Sequence, residues 1–225
     1  MIKIEKTETY GWEAAIRGLR NPLNSWSKSD STFTMGDTFI GENDLSLMKN
    51  LCNAGTDHRK FMRMIMVSLD VTAPLYWWKE FDTYKVGTVA NSCSTMHKIH
   101  EKHFTLDDFS REKLAYPALD QLRHTINTLN VYRDLFVNWD KKDDNSKNAL
   151  LVGISDGGYD KKDAWNQMIQ LLPSSYNQKR TVMLNYEVLA NIYKSRKNHK
   201  LDEWVEFCEW IETLPYSELI TGGKE

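Results

Sequence analysis

The run "FMRMIMVSLDVTAP" constrains the fold most, because Ile65, Val67, Leu69 and Val71 alternate with less apolar residues over a β-rich stretch. That period of two predicts a central strand, with one face buried along its whole length. A strand cannot stand alone, since its backbone N–H and C=O groups need partners. "MIKIEKTETY" also alternates, ends at Gly11 and predicts a half-buried neighbour. Directly after the central strand, "PLYWWKEFDTY" opens on a proline suited to a first helical turn and predicts a helix ending before Val86-Gly87.

Elsewhere the signals are mostly helical. "GWEAAIRGLRNPL" reads as a short helix stopped by Asn21-Pro22, and "NSWSKSDSTFTMGDTFIG" as loop. Asn43 or Asp44 is placed to cap "DLSLMKNLCNAG", with Gly55 as its stop. "TLDDFSREKL" carries a Thr/Asp cap, and "LDQLRHTINTLNVYRDLFVNW" repeats Leu119, Leu122, Ile126 and Leu129 at helical spacing. "DKKDDNSKN" and "GISDGGYDKKD" read as connectors. "DAWNQMIQLLP" and "SSYNQKRTVMLNYEVLANIYKSRK" read as helices divided by Pro173, and "LDEWVEFCEWIETLP" as the last helix. The expected class is α+β: N-terminal mixed strands with a mainly helical C-terminal half, built as a single domain over residues 1–225.

Composition removes several function classes. The formal net charge is −2 and no Lys/Arg block is present, so nothing suggests a nucleic-acid binder held by phosphate neutralisation. Cys52, Cys93 and Cys208 lie far apart, without disulfide or zinc spacing. No segment has the apolar length of a signal peptide or a membrane span, so the expectation is a cytoplasmic protein with no membrane partner.

The chemistry concentrates in "EFDTYKVGTVANSCSTMHKIH". Lys85, Thr88, Asn91, Ser92 and Ser94 surround Gly87, a donor-rich set able to hold phosphate through hydroxyls, amides and one cation. The same Asn and Ser residues also suit a turn that bonds its own backbone. Trp77, Trp78 and Tyr84 either flank a flat ring or, for the tandem tryptophans, fill the core. Cys93 reads as a quiet buried thiol rather than a nucleophile. His97, His100 and His103 lie three apart but lack an accompanying carboxylate pattern for a metal. Arg196 offers a planar fork to a phosphate or a pyrimidine carbonyl, and Asn185 a donor and an acceptor to a base edge. Glu203, Glu206 and Glu209 form an acidic row of the kind all-helical magnesium nucleotide pyrophosphatases use. They equally suit a solvated face opposite Trp204, Phe207, Cys208 and Ile211.

The order "LMKNLCNAG", strand, "APLYWWKEFDTY", polar stretch, then "LLPSSYNQKRTVMLNYEVLANIYKSRKNHKLDEW" resembles the flavin-dependent thymidylate synthases, the ThyX family, from roughly Leu45 to Trp210. The signature is rewritten. Thr83-Tyr84-Lys85 stands where the family has Arg-His-Arg, Asn91-Ser92 where it has Asn-Glu, and Met96-His97 where it has Arg-Tyr, while Ser94 is kept. In the late segment Asn185, Arg196, His199 and Glu203 match. Glu187 falls where the family often has Arg, and Leu201 and Val205 replace a Gln and an Arg.

The resemblance implies a ThyX-like homotetramer with sites between subunits and bound FAD. It implies a dUMP substrate, a pyrimidine deoxynucleotide methylated at C5. Methylenetetrahydrofolate and NADPH would be the co-substrates. It places catalytic roles on Lys85, Ser92 and Ser94, cofactor contacts on Tyr84, Thr88, Asn91, His97 and Asn185, and substrate contacts on Glu80, Arg180 and Arg196, with no metal. Two alternatives stay open: a nucleotide-binding relative without flavin chemistry, and the magnesium pyrophosphatase.

Overall fold

Strand β1 (Lys3–Tyr10) leads through Gly11 into helix α1 (Trp12–Arg20). A hairpin of β2 (Thr32–Thr34) and β3 (Asp37–Phe39) precedes α2 (Glu42–Asn53), followed by β4 (Met66–Pro74) and α3 (Leu75–Phe81). Then come β5 (Thr88–Ser92), α4 (Thr95–Lys98), α5 (Tyr116–Val137), α6 (Asp144–Leu151) and α7 (Lys161–Leu171). The chain closes with β6 (Asn177–Asn185), α8 (Tyr186–Arg196), α9 (Asp202–Glu212) and α10 (Glu218–Thr221). This computed structural model describes residues 2–34, 37–154 and 158–222. The class is α+β, as the sequence predicts.

The central strand is central. The four-stranded sheet runs β1-β4-β6-β5, so β4 is paired on both sides. Val67, Leu69, Val71 and Ala73 are all buried, while the residues between them are only partly covered. β1 pairs antiparallel with β4 and carries a bulge between Glu5 and Glu8, where Lys6 takes a positive φ of 56°. At the two ends of the β4–β6 pair, Tyr186 N–H donates to the Ile65 carbonyl (3.0 Å) and Leu75 N–H to that of Tyr176 (3.0 Å), so these strands also run antiparallel. That register sets Val182 and Leu184 on the buried face and lets Thr181 donate to Asp70 across the other (2.7 Å).

Three stretches differ from their sequence reading. Residues 177–185, expected within a long helix, form β6, because β4 supplies bonding partners and a buried apolar face. The stretch read as loop before α2 contains the β2–β3 hairpin. Most of "DKKDDNSKN" is helical, starting α6 with the Asp143 side chain accepting from Ser146 N–H (2.8 Å). Ser155, Asp156 and Gly157 of the second expected connector lie outside the described residues. Among the described residues no helix is long and apolar enough to cross a membrane.

The chain divides into two compact units. One comprises Ala73–Trp78 and Ser92–Lys179; its helices α5 and α7 pack Leu122, Ile126, Leu129 and Met168 with Phe104 and Phe109. Trp77 and Trp78 belong here and are fully buried, with Trp78 Nε1–H bonded to the Gln178 carbonyl (2.9 Å), so the core reading of these two rings holds. Cys93 is exposed, which corrects its reading as a buried thiol. The histidine row is broken because α4 ends at Lys98, and His103 bonds Asp134 instead (2.9 Å).

The other unit comprises Ile2–Thr72, Lys79–Asn91 and Arg180–Glu225. Here Asp44 does not cap α2. It is buried, paired with the buried Arg20 (2.6 Å), and accepts from the Ser29 and Ser31 hydroxyls (2.7 and 2.6 Å). The cap comes from Asp30, whose carboxylate accepts from the backbone N–H groups of Asn43 (2.9 Å) and Asp44 (3.1 Å). Gly41 makes this possible: a Cβ there would lie 2.2 Å from the Asp30 carboxyl carbon.

Burial alone would raise the Asp44 carboxyl above its ordinary 3.8, but hydrogen bonds from Ser31, Ser29 and Arg20, with the Arg20 charge, outweigh it and hold the pKa lower. Its stabilisation is therefore fully present above the ordinary value and is lost as pH falls through the depressed one. Asp44→Ala strands the Arg20 charge and is expected to cost about 3–5 kcal/mol. Urea unfolding at neutral pH measures this, and the gap between variant and parent should narrow below about pH 4.

Candidate functional site

Helix α3 ends in a tight turn. The Glu80 carbonyl accepts from Thr83 N–H (3.1 Å) and from the Thr83 hydroxyl (2.7 Å), and the Phe81 carbonyl accepts from Tyr84 N–H (2.9 Å). The turn leaves the Glu80 carboxylate and the Tyr84 phenol facing the end of α8. Arg196, the last residue of α8, donates from Nε to Tyr84 Oη (2.9 Å) and from Nη1 to Glu80 Oε2 (2.7 Å). Trp204 of α9 touches both charges. Its Nε1–H donates to the same Glu80 oxygen (3.0 Å), and the Arg196 guanidinium lies 4.8 Å from its ring centre. The Tyr84 ring is 5.8 Å from that guanidinium, and Phe81 stacks against Trp204 at 6.4 Å.

His199 completes the group. Its Nδ1 accepts from Leu201 N–H (3.2 Å), and its Nε2 lies 3.5 Å from Glu80 Oε2 and 2.9 Å from Arg196 Nη1. Arg196 Nη1 and Trp204 Nε1 thus both donate to one carboxylate oxygen. The group sits at the surface: the Arg196, His199 and Glu80 side chains are 18%, 24% and 35% exposed. An ion pair this wet contributes about 1 kcal/mol or less by itself. What holds the guanidinium in place is the set of four side chains around it, Glu80, Tyr84, His199 and Trp204.

A second feature lies at the start of β5. Gly87 has φ of 78°, and a Cβ there would meet Asn185 Nδ2 at 2.8 Å and Val188 Cγ2 at 3.2 Å. Asn185 is buried and caps α8, its Oδ1 accepting from Val188 N–H (3.0 Å). Next to Gly87, the Thr88 hydroxyl oxygen is buried and has no hydrogen-bond partner among the described residues. A buried, unbonded hydroxyl is suited to a ligand's polar group.

The sequence-derived candidates therefore separate. Glu80, Tyr84 and Arg196 join one network; Thr88 and Asn185 meet at Gly87. Arg180 is committed to Asp82 (2.7 Å). Lys85 and Asn91 are exposed. Ser92, Ser94 and His97 belong to the other unit, where Ser94 Oγ accepts from His97 N–H (3.1 Å) as the cap of α4 and Ser92 and His97 are exposed.

Trp204 was legible only as core, although it falls eight residues after Arg196, a spacing that returns to the same region when a turn intervenes. Glu187, standing in place of a family arginine, is met by Arg59 through two contacts (3.1 and 2.9 Å). In the acidic row Glu203 is buried while Glu206 and Glu209 are exposed, so the three do not form one solvent-facing set. Among the described residues no three His, Cys, Asp or Glu side chains converge as a metal site requires. Burial pushes the Cys52 thiol up to about 11 and that of Cys208 to about 12, which keeps both un-ionised at neutral pH.

No protein-family profile matches the sequence, and no curated protein matches it significantly. Solved structures do match in fold. A thymidylate synthase X (ThyX) from Helicobacter pylori, solved with FAD and dUMP, is 15% identical with a TM-score of 0.62, the match covering 98% of this chain and 97% of that one. Another flavin-dependent ThyX structure from that organism, also with FAD and dUMP, is 14% identical with a TM-score of 0.62 over 97% of each chain. A UMP/dUMP methylase, PolB from Streptomyces cacaoi, bound with 5-Br dUMP, is 12% identical with a TM-score of 0.57 over 99% of this chain and 95% of that one. At these identities the likeness shows a shared, ThyX-like fold over nearly the full chain.

Gly87→Ala forces a side chain into a left-handed backbone and against the Asn185 amide. The expected loss is about 1–3 kcal/mol, read as a lower thermal midpoint, because both the strain and the α8 cap are involved.

Proposed function

We propose that this chain is a ThyX-like enzyme that methylates dUMP, or modifies it in a related way at C5, using FAD and a folate one-carbon donor. The observation that carries the reading is the joining of Glu80, Tyr84 and Arg196 into one half-exposed network. The resemblance had assigned nucleotide or flavin contacts to each of them separately. The fold shared with two FAD- and dUMP-bound ThyX structures and a dUMP-type methylase supports it.

In this reading Arg196, fixed by Glu80, Tyr84 and Trp204, orients the nucleotide, and the exposed Lys85 offers a point charge to its phosphate. Tyr84 and Thr88 are the residues of this unit best suited to hold FAD: a half-buried ring, and a buried hydroxyl lacking a partner. FAD, when bound, supplies the hydride that completes the methyl group. The protein's own share is orientation and electrostatic tuning.

A second reading, a nucleotide-binding relative without flavin chemistry, has one observation in its favour. Both candidate arginines, Arg180 and Arg196, are already paired with carboxylates, and Lys85 is the only cation left in Thr83-Tyr84-Lys85.

The absorbance spectrum of the purified protein, with and without added FAD, separates the two. The first reading predicts flavin bands that remain with the protein after gel filtration. A colourless protein that takes up no FAD yet binds dUMP sinks it in favour of the second. Lys85→Ala is expected to weaken dUMP binding about 10-fold in calorimetric titration with an unchanged melting temperature; equal affinity removes Lys85 from the site.

A further inference from the structure

After β5, the segment from Cys93 to Phe104 is anchored by its main chain. The Cys93 carbonyl accepts from Gln178 Nε2 (2.9 Å) and the Met96 carbonyl from Trp165 Nε1 (3.0 Å). Asn130, Arg133 and Asp134, on one face of α5, fasten the far end. Asn130 accepts from Phe104 N–H (2.8 Å) and donates to the Phe104 carbonyl (2.9 Å). Arg133 donates to the carbonyls of His100 (3.0 Å) and Glu101 (3.4 Å) and to Asp134 (2.8 Å), which also meets His103 (2.9 Å). The Arg133 side chain is only 15% exposed. From Ser92 to Lys98, by contrast, no side chain is buried. Among the described residues nothing bonds the Ser92 hydroxyl or the His97 imidazole. The anchors therefore fix a main chain whose side chains stay free.

We propose that Arg133, with Asn130, is a positioning residue that presets the main chain presenting Ser92, Ser94 and His97 to a nucleotide or flavin. This rests on the functional reading above, in which those three residues meet ligand. Arg133 acts through the segment and not on the ligand. A guanidinium suits the task, because its rigid planar fork spans two successive carbonyls and a carboxylate at once. Without it the His100 and Glu101 carbonyls lose these donors, and the segment must be ordered when ligand binds. Ordering one or two side chains at that moment corresponds to about a 10-fold loss of affinity.

Calorimetric titration of the intact chain, with dUMP in one arm and FAD in the other, compares the wild type with Arg133→Ala. In the arm whose ligand meets this segment, Arg133→Ala is expected to weaken binding about 10-fold. Arg133→Lys keeps the charge without the fork and is expected to fall between the two; it carries the comparison if Arg133→Ala does not fold. In a Ser92→Ala/His97→Ala background, the further loss on Arg133→Ala is expected to shrink below about 3-fold, because these residues act as one unit. Leu135→Ala, in the apolar cluster with Leu151 and Ala164, is the stability control. It is expected to lower the thermal midpoint and leave both affinities unchanged, with circular dichroism confirming that each variant is folded. Equal affinity of the wild type and the Arg133 variants for both ligands overturns the positioning role and leaves the functional reading standing. So does a loss that adds in full in the combined variant, or a matching loss in folded Leu135→Ala. Failure of the wild-type protein to bind either ligand overturns both.

Discussion

The function proposed for this molecule depends on one charged contact, the hydrogen bond from Arg196 Nη1 to Glu80 Oε2. Its two residues are 116 positions apart in sequence. They meet through tertiary packing, Glu80 lying on α3 after β4 and Arg196 closing α8 after β6. The contact alone is worth little in water. Trp204 changes that by covering the guanidinium with its ring and holding the carboxylate with its N–H, so that two flexible side chains are kept in one geometry before any ligand arrives. Preorganisation of this kind lowers the ordering cost of binding and is the main way a protein tunes chemistry performed on a substrate or cofactor.

Two ion pairs of one compact unit illustrate different physics. Arg20–Asp44 is buried, with both serine hydroxyls and two backbone N–H groups converging on Asp44. It specifies structure, fixing the segment before α2 against α1, and leaves no valence for a ligand. Glu80–Arg196 is half-exposed and keeps one acceptor and one donor uncommitted. A charged pair with all its hydrogen-bonding capacity used belongs to the fold; one with capacity left over at the surface can serve a site.

Much of the frame was readable from sequence because hydrophobic period carries it. Ile65 to Val71 announced a central strand, and Leu122, Ile126 and Leu129 announced the buried face of α5. β6 was not readable in the same way. "QKRTVMLN" shows only a brief alternation, directly joined to an amphipathic helix, and its extended form depends on pairing with β4, a partner remote in sequence. Asn185 held the missing signal, since it is the cap at which α8 begins. For the site, residue types flagged Glu80, Tyr84 and Arg196 but not their union, which needs tertiary structure. Trp204 was hidden for a plainer reason: a buried tryptophan on an amphipathic helix looks the same from sequence whether or not its N–H serves a carboxylate.

The fold is shared with ThyX structures at low identity, while the signature residues differ, so activity must be argued from the site rather than from the fold. The most direct measurement is calorimetric titration of dUMP into the wild-type protein and into Arg196→Ala. The account predicts saturable binding by the wild type and at least about a 10-fold loss in a variant that remains folded. Equal dUMP affinity in the two proteins would contradict it.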